Sequence, residues 1–194
     1  MVTATHFEIE DSRRLKPPGR FPLGTKVAEF PTYRISFMIL SHRLKAKSSR
    51  PAIQIIKHYS NLPQLECHPG QINQVFMNLI ANAIDALEES NAGKTYAEIE
   101  QNPNTITICT AGVCQQVPDI IDTIVIQIAD NGLGMTESVR EKLFTPFFTT
   151  KAEGKGTGLG LSICYQIVTE RHGGTLNCLS SLETGTEFVI SLPI

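Results

Sequence analysis

A run of alternating glycines, GKGTGLGLS from Gly154 to Ser162, is the feature that most narrows what this chain can fold into. Glycine at every second position lets a backbone pass close to a ligand, and such runs are typical of phosphate-binding loops. Three schemes use glycine in this way: the P-loop, the dinucleotide-binding turn, and a glycine-rich lid over a nucleotide. They differ in spacing and surroundings, so the sequence can separate them.

The first two schemes do not match. A P-loop requires a glycine, four further residues and then Gly-Lys-Ser/Thr. The AGKT segment that ends at Thr95 has Glu88 where the first glycine would stand, and the lysine after Gly154 is followed by glycine. The dinucleotide fingerprint is G-x-G-x-x-G directly after a first strand. Here the run is G-x-G-x-G-x-G, lies far along the chain and follows a polar loop.

The third scheme combines the glycine lid with an amide-bearing helix and an aspartate in a glycine-rich turn. The apolar periodicity of GQINQVFMNLIANAIDALEES predicts a long helix, and Asn78 and Asn82 lie on one face of it because they are four residues apart. Amides are a poor choice for so apolar a helix unless they have a role. The DNGLGM segment adds Asp130, Gly132 and Gly134. Amide oxygens suit a magnesium ion, a carboxylate can accept from the adenine amino group, and lid N–H groups can meet phosphates.

The remaining pattern predicts an α+β fold, a two-layer sandwich in which a mixed, mainly antiparallel sheet is covered on one face by helices. A short helix is expected from Pro31, with Ile35, Met38, Ile39 and also His42 on its packed side. A last helix is expected to end at Gly173. A polar loop is expected over 90–104 and a short helix capped by Thr136. The expected strands are 51–59, 62–69, 105–112, 122–130, 175–181 and 186–193.

Composition excludes several classes of protein. A formal net charge of −2 and a pI of about 6.2 argue against a nucleic-acid binder. The five cysteines are scattered without metal-ligand spacing, which predicts unpaired thiols. The N-terminus has no signal-peptide core, and no apolar run reaches about 18 residues. We therefore expect a soluble, cytoplasmic chain.

Five segments carry a family resemblance. NQVFMNLIANAIDAL, ADNGLGM, LFTPFFTTK, GKGTGLGLSI and GTEFVISLP resemble, in order and spacing, the N, G1, F, G2 and closing boxes of sensor histidine kinases. The resemblance covers roughly residues 50 to 194. It implies the Bergerat ATP-binding sandwich of the GHKL superfamily, with ATP and Mg²⁺ as cofactors. It also implies a division into an N-terminal arm with a short helix, 1–45, and a catalytic and ATP-binding domain, 46–194.

The resemblance also implies a role for each matching position. Asn82 would coordinate the magnesium ion, Asn78 would lie beside the phosphates, and Asp130 would bind the adenine amino group. Phe144 and Phe147 would be either core residues or anchors of the lid. The other nucleotide-binding positions implied lie under the purine, in the lid and in the closing box: Gly132, Gly134, Gly154, Gly156, Thr157, Gly158, Leu159, Gly160 and Thr186.

Two departures from the family shape the expected function. Many sensor kinases carry lysine three residues after the magnesium asparagine, but here that position is Asp85, as in nitrogen-regulation-type kinases. We expect Asp85 to lie in the nucleotide site, and Lys151 or Lys155 at the lid to supply the missing cation to the phosphates. Second, none of the five histidines precedes an acid, so no acceptor His box is evident. Autophosphorylation of this chain by itself is therefore not expected.

The predicted function is transfer of the ATP γ-phosphate to a histidine on a separate or missing dimerisation domain, in cis or in trans, for relay to a response regulator receiver domain. The full-length form is expected to be a homodimer and this chain alone a monomer. Gyrase-type relatives have a general-base glutamate where Asn78 stands, which favours transfer over hydrolysis. Two alternatives stay open: a nucleotide-binding regulatory module without transfer activity, and a Ser/Thr kinase of the anti-sigma type.

Overall fold

The computed structural model describes residues 31–114, 121–152 and 156–194, with side chains from Met38 onward. The helices are α1 (Pro31–Leu44), α2 (Pro69–Ser90), α3 (Tyr96–Gln101), α4 (Glu137–Arg140) and α5 (Gly160–Gln166), which continues into a π-helical turn, Ile167–Arg171. The strands are β1 (Gln54–Tyr59), β2 (Thr105–Val113), β3 (Thr123–Asp130), β4 (Thr175–Ser181) and β5 (Gly185–Pro193).

The strands form one mixed sheet in the order β1-β2-β3-β5-β4. Only the β1–β2 pair is parallel; the other three pairs are antiparallel. The register places Asp130, at the end of β3, opposite Thr186 on β5. This confirms the predicted α+β class with a mixed, mainly antiparallel sheet, and it puts two of the predicted site residues side by side.

The core lies between α2 and one face of the sheet. On α2 the buried positions recur at helical spacing, from Ile72 to Leu87, as the periodicity predicted. The central strands alternate buried and half-buried residues, so that Ile124, Ile126 and Ile128 of β3 all face the helices. Burial of this stripe fixes which face of α2 points away from the core, and that face carries Asn82 and Asp85.

Helix α1 forms as predicted, but its packed side is not the predicted one. Met38 and Ile39 are 70% and 51% exposed, whereas Leu40 is buried in the common core. His42 is exposed as well. The side of α1 that packs on the core carries Leu40 and Leu44, which lie on one face because they are four residues apart. The side chain of Ile35 lies outside the described residues. The domain division at residue 45 stays a prediction, although Leu40 shares the core of the larger part.

Two further predictions are wrong. Residues 62–69 form no strand: 61–68 are irregular, and Pro69 opens α2, where its missing N–H costs nothing. Leu62, Leu65 and Cys67 nevertheless pack against the core. The segment 90–104 is not wholly loop, because α3 lies within it. A capping box between Thr95 and Glu98 opens that helix, and this Thr-x-x-Glu signal is visible in the sequence.

Candidate nucleotide site

Helix α2 brings two polar side chains to one cavity. Asn82 and Asp85 are three residues apart, so they lie on the same face, and both line the cavity. Asn78, one turn earlier, does not line it. Its amide nitrogen donates instead to the carbonyl oxygen of Gly160 at 3.1 Å and to Sγ of Cys164 at 3.5 Å. Asn78 therefore fastens α2 to the beginning of α5, directly after the lid.

Lys151 reaches the two α2 side chains from the opposite wall. Its ammonium donates to Asn82 Oδ1 at 3.0 Å and to Asp85 Oδ2 at 2.5 Å. The other Asp85 oxygen, Oδ1, accepts from Nη2 of Arg43 on α1 at 2.6 Å. Asp85 is thus a carboxylate held between two cations. No contiguous sequence signal connects Lys151 to α2, since 66 residues separate the two partners.

Asp130 also lines the cavity. It is the last residue of β3, and the backbone N–H of Gly132 donates to its Oδ1 at 2.9 Å. Burial raises the pKa of Asp130 from 3.8 to about 6, against the lowering effect of hydrogen bonds from the backbone of Gly132 and Thr186. The Thr186 hydroxyl is in turn 3.0 Å from the Ser180 hydroxyl, which ties Asp130 to the β4–β5 pair.

The described part of the lid closes against the segment before it. Gly158 has φ of +66°, and a Cβ built there would lie 2.3 Å from the carbonyl carbon of Phe147. Only glycine fits that position, since both the backbone angle and the space exclude a side chain. Phe147 itself has φ of +65° and is 74% exposed. Gly154 and Lys155, two predicted lid residues, lie outside the described residues.

The cavity has a volume of about 450 Å³, within the range of small-molecule sites. Five predicted residues do not line it: Asn78, Gly132, Phe144, Phe147 and Leu159. Phe144 packs against the core, and its ring centroid lies 5.1 Å from that of Tyr165 on α5. Ten predicted residues do line it: Asn82, Asp85, Asp130, Gly134, Lys151, Gly156, Thr157, Gly158, Gly160 and Thr186.

The apolar side chains that line the cavity were not predicted from the sequence. Leu133 and Met135 follow Asp130, Leu143 follows α4, Leu161 is the second residue of α5, and Phe188 lies on β5. A flat purine needs such walls, but they come from several separate segments, and an apolar residue near a strand or helix end looks like core in the sequence. Thr149, Thr150 and Glu89 also line the cavity and were not singled out.

The donor set fits a divalent cation bound together with phosphates. Asn82 Oδ1 and Asp85 Oδ2 converge on one positively charged nitrogen, and an amide and a carboxylate oxygen are ligands that Mg²⁺ accepts. Within the part of the chain that the structure describes, no group of three or more His, Cys, Asp or Glu could hold a metal ion by itself. A metal here would take its further oxygen ligands from water or from a bound nucleotide.

Fold and site together define an ATP-binding domain of the histidine kinase type. The family model described as "Histidine kinase-, DNA gyrase B-, and HSP90-like ATPase" matches residues 67–194, and the chain belongs to that family. The resemblance found in the five sequence boxes is thereby confirmed.

Relatives and solved structures agree with this assignment. The chain is 39% identical over 140 residues to sensor kinase CckA of Brucella abortus (strain 2308), covering 71% of this chain and 14% of that protein. It is 33% identical over 133 residues to sensor histidine kinase ZraS of Escherichia coli (strain K12), covering 69% and 24%. The chain thus spans less than a quarter of either relative. The catalytic domain of histidine kinase ThkA superposes with a TM-score of 0.61 at 27% identity, covering 84% of this chain and 92% of that one.

Two remaining sequence predictions concern thiols and membranes. All five cysteines are among the described residues and are free, as predicted. Burial raises the pKa of the Cys164 and Cys178 thiols to about 12, so neither is a nucleophile at neutral pH. Among the described helices, none has the length and apolar character needed to cross a bilayer.

Proposed function

We propose that this chain binds Mg·ATP and donates the γ-phosphate to a histidine on a dimerisation domain outside it, for relay to a response regulator receiver domain. The observation that carries the proposal is that one cavity is lined by the half-buried carboxylate of Asp130, by a hydrogen-bonded Asn82–Asp85–Lys151 cluster and by lid glycines. This lining offers a carboxylate to a base, and amide, ammonium and backbone groups to a polyphosphate.

At the base end, Asp130 would accept a hydrogen bond from the adenine amino group. Its carboxylate is fixed by the N–H of Gly132 and stands beside Thr186. Apolar side chains such as Leu133, Met135 and Phe188 would cover the faces of the purine. Shape and one hydrogen bond would then select adenine over guanine, which has no amino group at that ring position.

At the phosphate end, Asn82 would hold Mg²⁺ and the lid glycines would present backbone N–H groups to the phosphates. Gly156, Gly158 and Gly160 all line this end, and α5 begins at Gly160. Mg²⁺ would supply positive charge to the phosphate oxygens. Lys151 and Lys155 would add the charge that the family lysine provides elsewhere. The protein's contribution to transfer is then positioning and charge neutralisation.

Position 78 favours transfer to a partner over hydrolysis. An amide has no useful basicity, and the Asn78 side chain is engaged with Gly160 and Cys164 outside the cavity. No general base therefore stands at this point of α2 to activate water. The nucleophile and its base would come from the acceptor domain.

The partners are inferred from the relatives. CckA and ZraS are named as sensor kinases and are much longer than this chain. ThkA has been solved in complex with the response regulator protein TrrA. We infer that the acceptor histidine is supplied in cis by a longer protein or in trans, that the full-length form is a cytoplasmic homodimer, and that nucleic acid is not a ligand.

The test is phosphotransfer in trans. The purified chain is mixed with γ-labelled ATP, Mg²⁺ and a His-box helical domain taken from CckA, and a receiver domain is added afterwards. Acid-labile label on the helical domain, passing to the receiver, is the expected result. Asn82→Ala should abolish it, whereas Asn61→Ala, in an exposed loop, should not.

Two other outcomes would replace the proposal with its alternatives. Nucleotide binding without any transfer to the helical domain would indicate a regulatory module. Acid-stable label on a protein substrate would indicate a Ser/Thr kinase of the anti-sigma type. Failure to bind ATP or ADP at all would contradict the proposed function in every form.

A further inference from the structure

The ammonium of Lys151 lies between the oxygens of two α2 side chains. It lies 3.0 Å from Asn82 Oδ1 and 2.5 Å from Asp85 Oδ2. We propose that these two oxygens form a divalent-cation site, with Asp85 as its second protein ligand, and that Lys151 holds the cation's place until Mg-nucleotide binds. This inference rests on the proposed nucleotide site. Asp85 would bind a cation at a position where many sensor kinases carry a lysine, which supplies the positive charge itself.

The charges around Asp85 make it a suitable ligand. Its two oxygens have different partners: Oδ1 is paired with Arg43 and Oδ2 faces the cavity and Lys151. Arg43 orients the carboxylate from behind, as outer-shell partners orient metal ligands. When a divalent cation replaces the Lys151 ammonium, Oδ2 keeps a positive partner. The exchange therefore leaves no bare carboxylate in the site.

Glu88, one turn further along α2, is a carboxylate that is paired only with protein cations. It accepts from three cations, Lys47, Arg50 and Arg43, at 2.7, 3.2 and 3.0 Å. It does not line the cavity. Glu88 therefore completes a structural ion cluster, whereas Asp85 joins that cluster with one oxygen and offers the other to the cavity. The two carboxylates provide a matched pair for experiment.

Lys151 is suited to be displaced. It follows the cavity-lining residues Thr149 and Thr150, and its side chain keeps 32% of its surface exposed. A flexible four-carbon stem can carry the ammonium from the two oxygens to a neighbouring phosphate without moving the backbone. Repulsion between the ammonium and a divalent ion at one position requires that move. The same movement of the Lys151 ammonium would then free the two oxygens for the metal ion and bring the ammonium to the phosphate.

The experiment uses Mn²⁺ as a paramagnetic substitute for Mg²⁺, and the loss of the free-ion resonance measures binding. Titrations are made on the full chain with and without ADP. With ADP, Asp85→Asn should lower Mn²⁺ affinity about tenfold or more. Without ADP, Lys151→Gln should raise Mn²⁺ affinity by about thirtyfold, the effect of removing one unit charge about 4 Å from a divalent ion in water. Glu88→Gln should change either affinity by less than about twofold, because it breaks the ion cluster without touching Asp85 Oδ2.

Three results would overturn the inference. They are an unchanged Mn²⁺ affinity in Asp85→Asn, a lowered nucleotide-free affinity in Lys151→Gln, or a loss in Glu88→Gln equal to that in Asp85→Asn. ADP binding measured in EDTA tests the proposed function separately. If ADP binds and the first result is found, the metal-site inference fails while the nucleotide site stands. If ADP does not bind, the proposed function fails, and the nucleotide-free titration of Lys151→Gln and Asp85→Asn still decides the inference.

Discussion

The Asp130 carboxyl changes its ionisation state close to physiological pH. Burial raises its pKa to about 6, although the backbone of Gly132 and Thr186 hydrogen-bonds to it and lowers the pKa in part. At pH 7.5 the group is ionised and has all its acceptor positions. Below pH 6 it carries a proton, and one acceptor for the adenine amino group is lost.

We therefore expect the affinity for adenosine to fall as the pH is lowered. Adenosine is the appropriate probe because it has no phosphate that titrates in this range. Going from pH 7.5 to pH 5, one unit below the pKa, should weaken binding about tenfold, as measured by NMR titration. Asp130→Asn should bind more weakly at pH 7.5 and lose the pH dependence. A wild-type affinity that is flat from pH 5 to 7.5 would contradict the role given to Asp130.

At the scale of elements, the conformation of the lid depends on particular contacts, and no apolar periodicity of the sequence predicts it. Gly158 packs on the backbone of Phe147, whereas a Cβ at Gly160 would meet the Asn78 side chain at an ordinary 3.6 Å. Gly158→Ala should lower the free energy of unfolding by at least about 1–2 kcal/mol, the cost of a left-handed residue with a side chain. Gly160→Ala should not lower it, since alanine is favoured at the beginning of a helix over glycine.

Thermal unfolding of the two variants checks this prediction. Equal melting temperatures for Gly158→Ala and wild type would show that the lid does not hold the observed contact. A drop in Gly160→Ala as large as in Gly158→Ala would show that any added methyl group is harmful in this segment, and that the left-handed backbone is not the cause.

The elements also show what the sequence can and cannot predict. Helix α2 was predictable because one apolar stripe from Ile72 to Leu87 fixes its period, its buried face and the direction of Asn82. Helix α3 was predictable from its capping box but was overlooked. The expected strand at 62–69 failed because an apolar segment can pack on the core without a neighbouring strand. Lys151 was named from charge alone, and its contact with Asp85 depends on how two distant segments fold together.

At the scale of the whole molecule, an ion cluster joins α1 and the segment after it to α2. Arg50 is 2% exposed and donates to the carbonyl oxygens of Arg43, Lys45 and Pro51. Glu88 accepts from Arg50, Lys47 and Arg43. Because Arg43 also pairs with Asp85, a change in the position of α1 reaches the nucleotide cavity through a single carboxylate. Helix α1 is therefore connected to the cavity by an ion pair, and Leu40 packs the same helix into the common core.

The last prediction concerns the contribution of this cluster to stability. Partial burial tends to raise the pKa of Glu88, but hydrogen bonds from Lys47, Arg50 and Arg43 outweigh that effect and lower it from 4.5 to about 2. A carboxyl with a lower pKa in the folded chain stabilises the fold above its unfolded pKa, and this stabilisation is lost as the pH falls through the folded value. Glu88→Gln should therefore lower the free energy of unfolding by about 1–2 kcal/mol at pH 7, since each hydrogen bond to a charged group contributes on that order and the cluster is partly solvated.

The difference in stability between Glu88→Gln and wild type, followed by melting temperature, should stay constant down to about pH 4.5 and shrink towards pH 2. Glu66→Gln, at an exposed position, should show little difference at any pH, and a Glu88→Gln difference that persists unchanged at pH 2.5 would contradict the electrostatic origin.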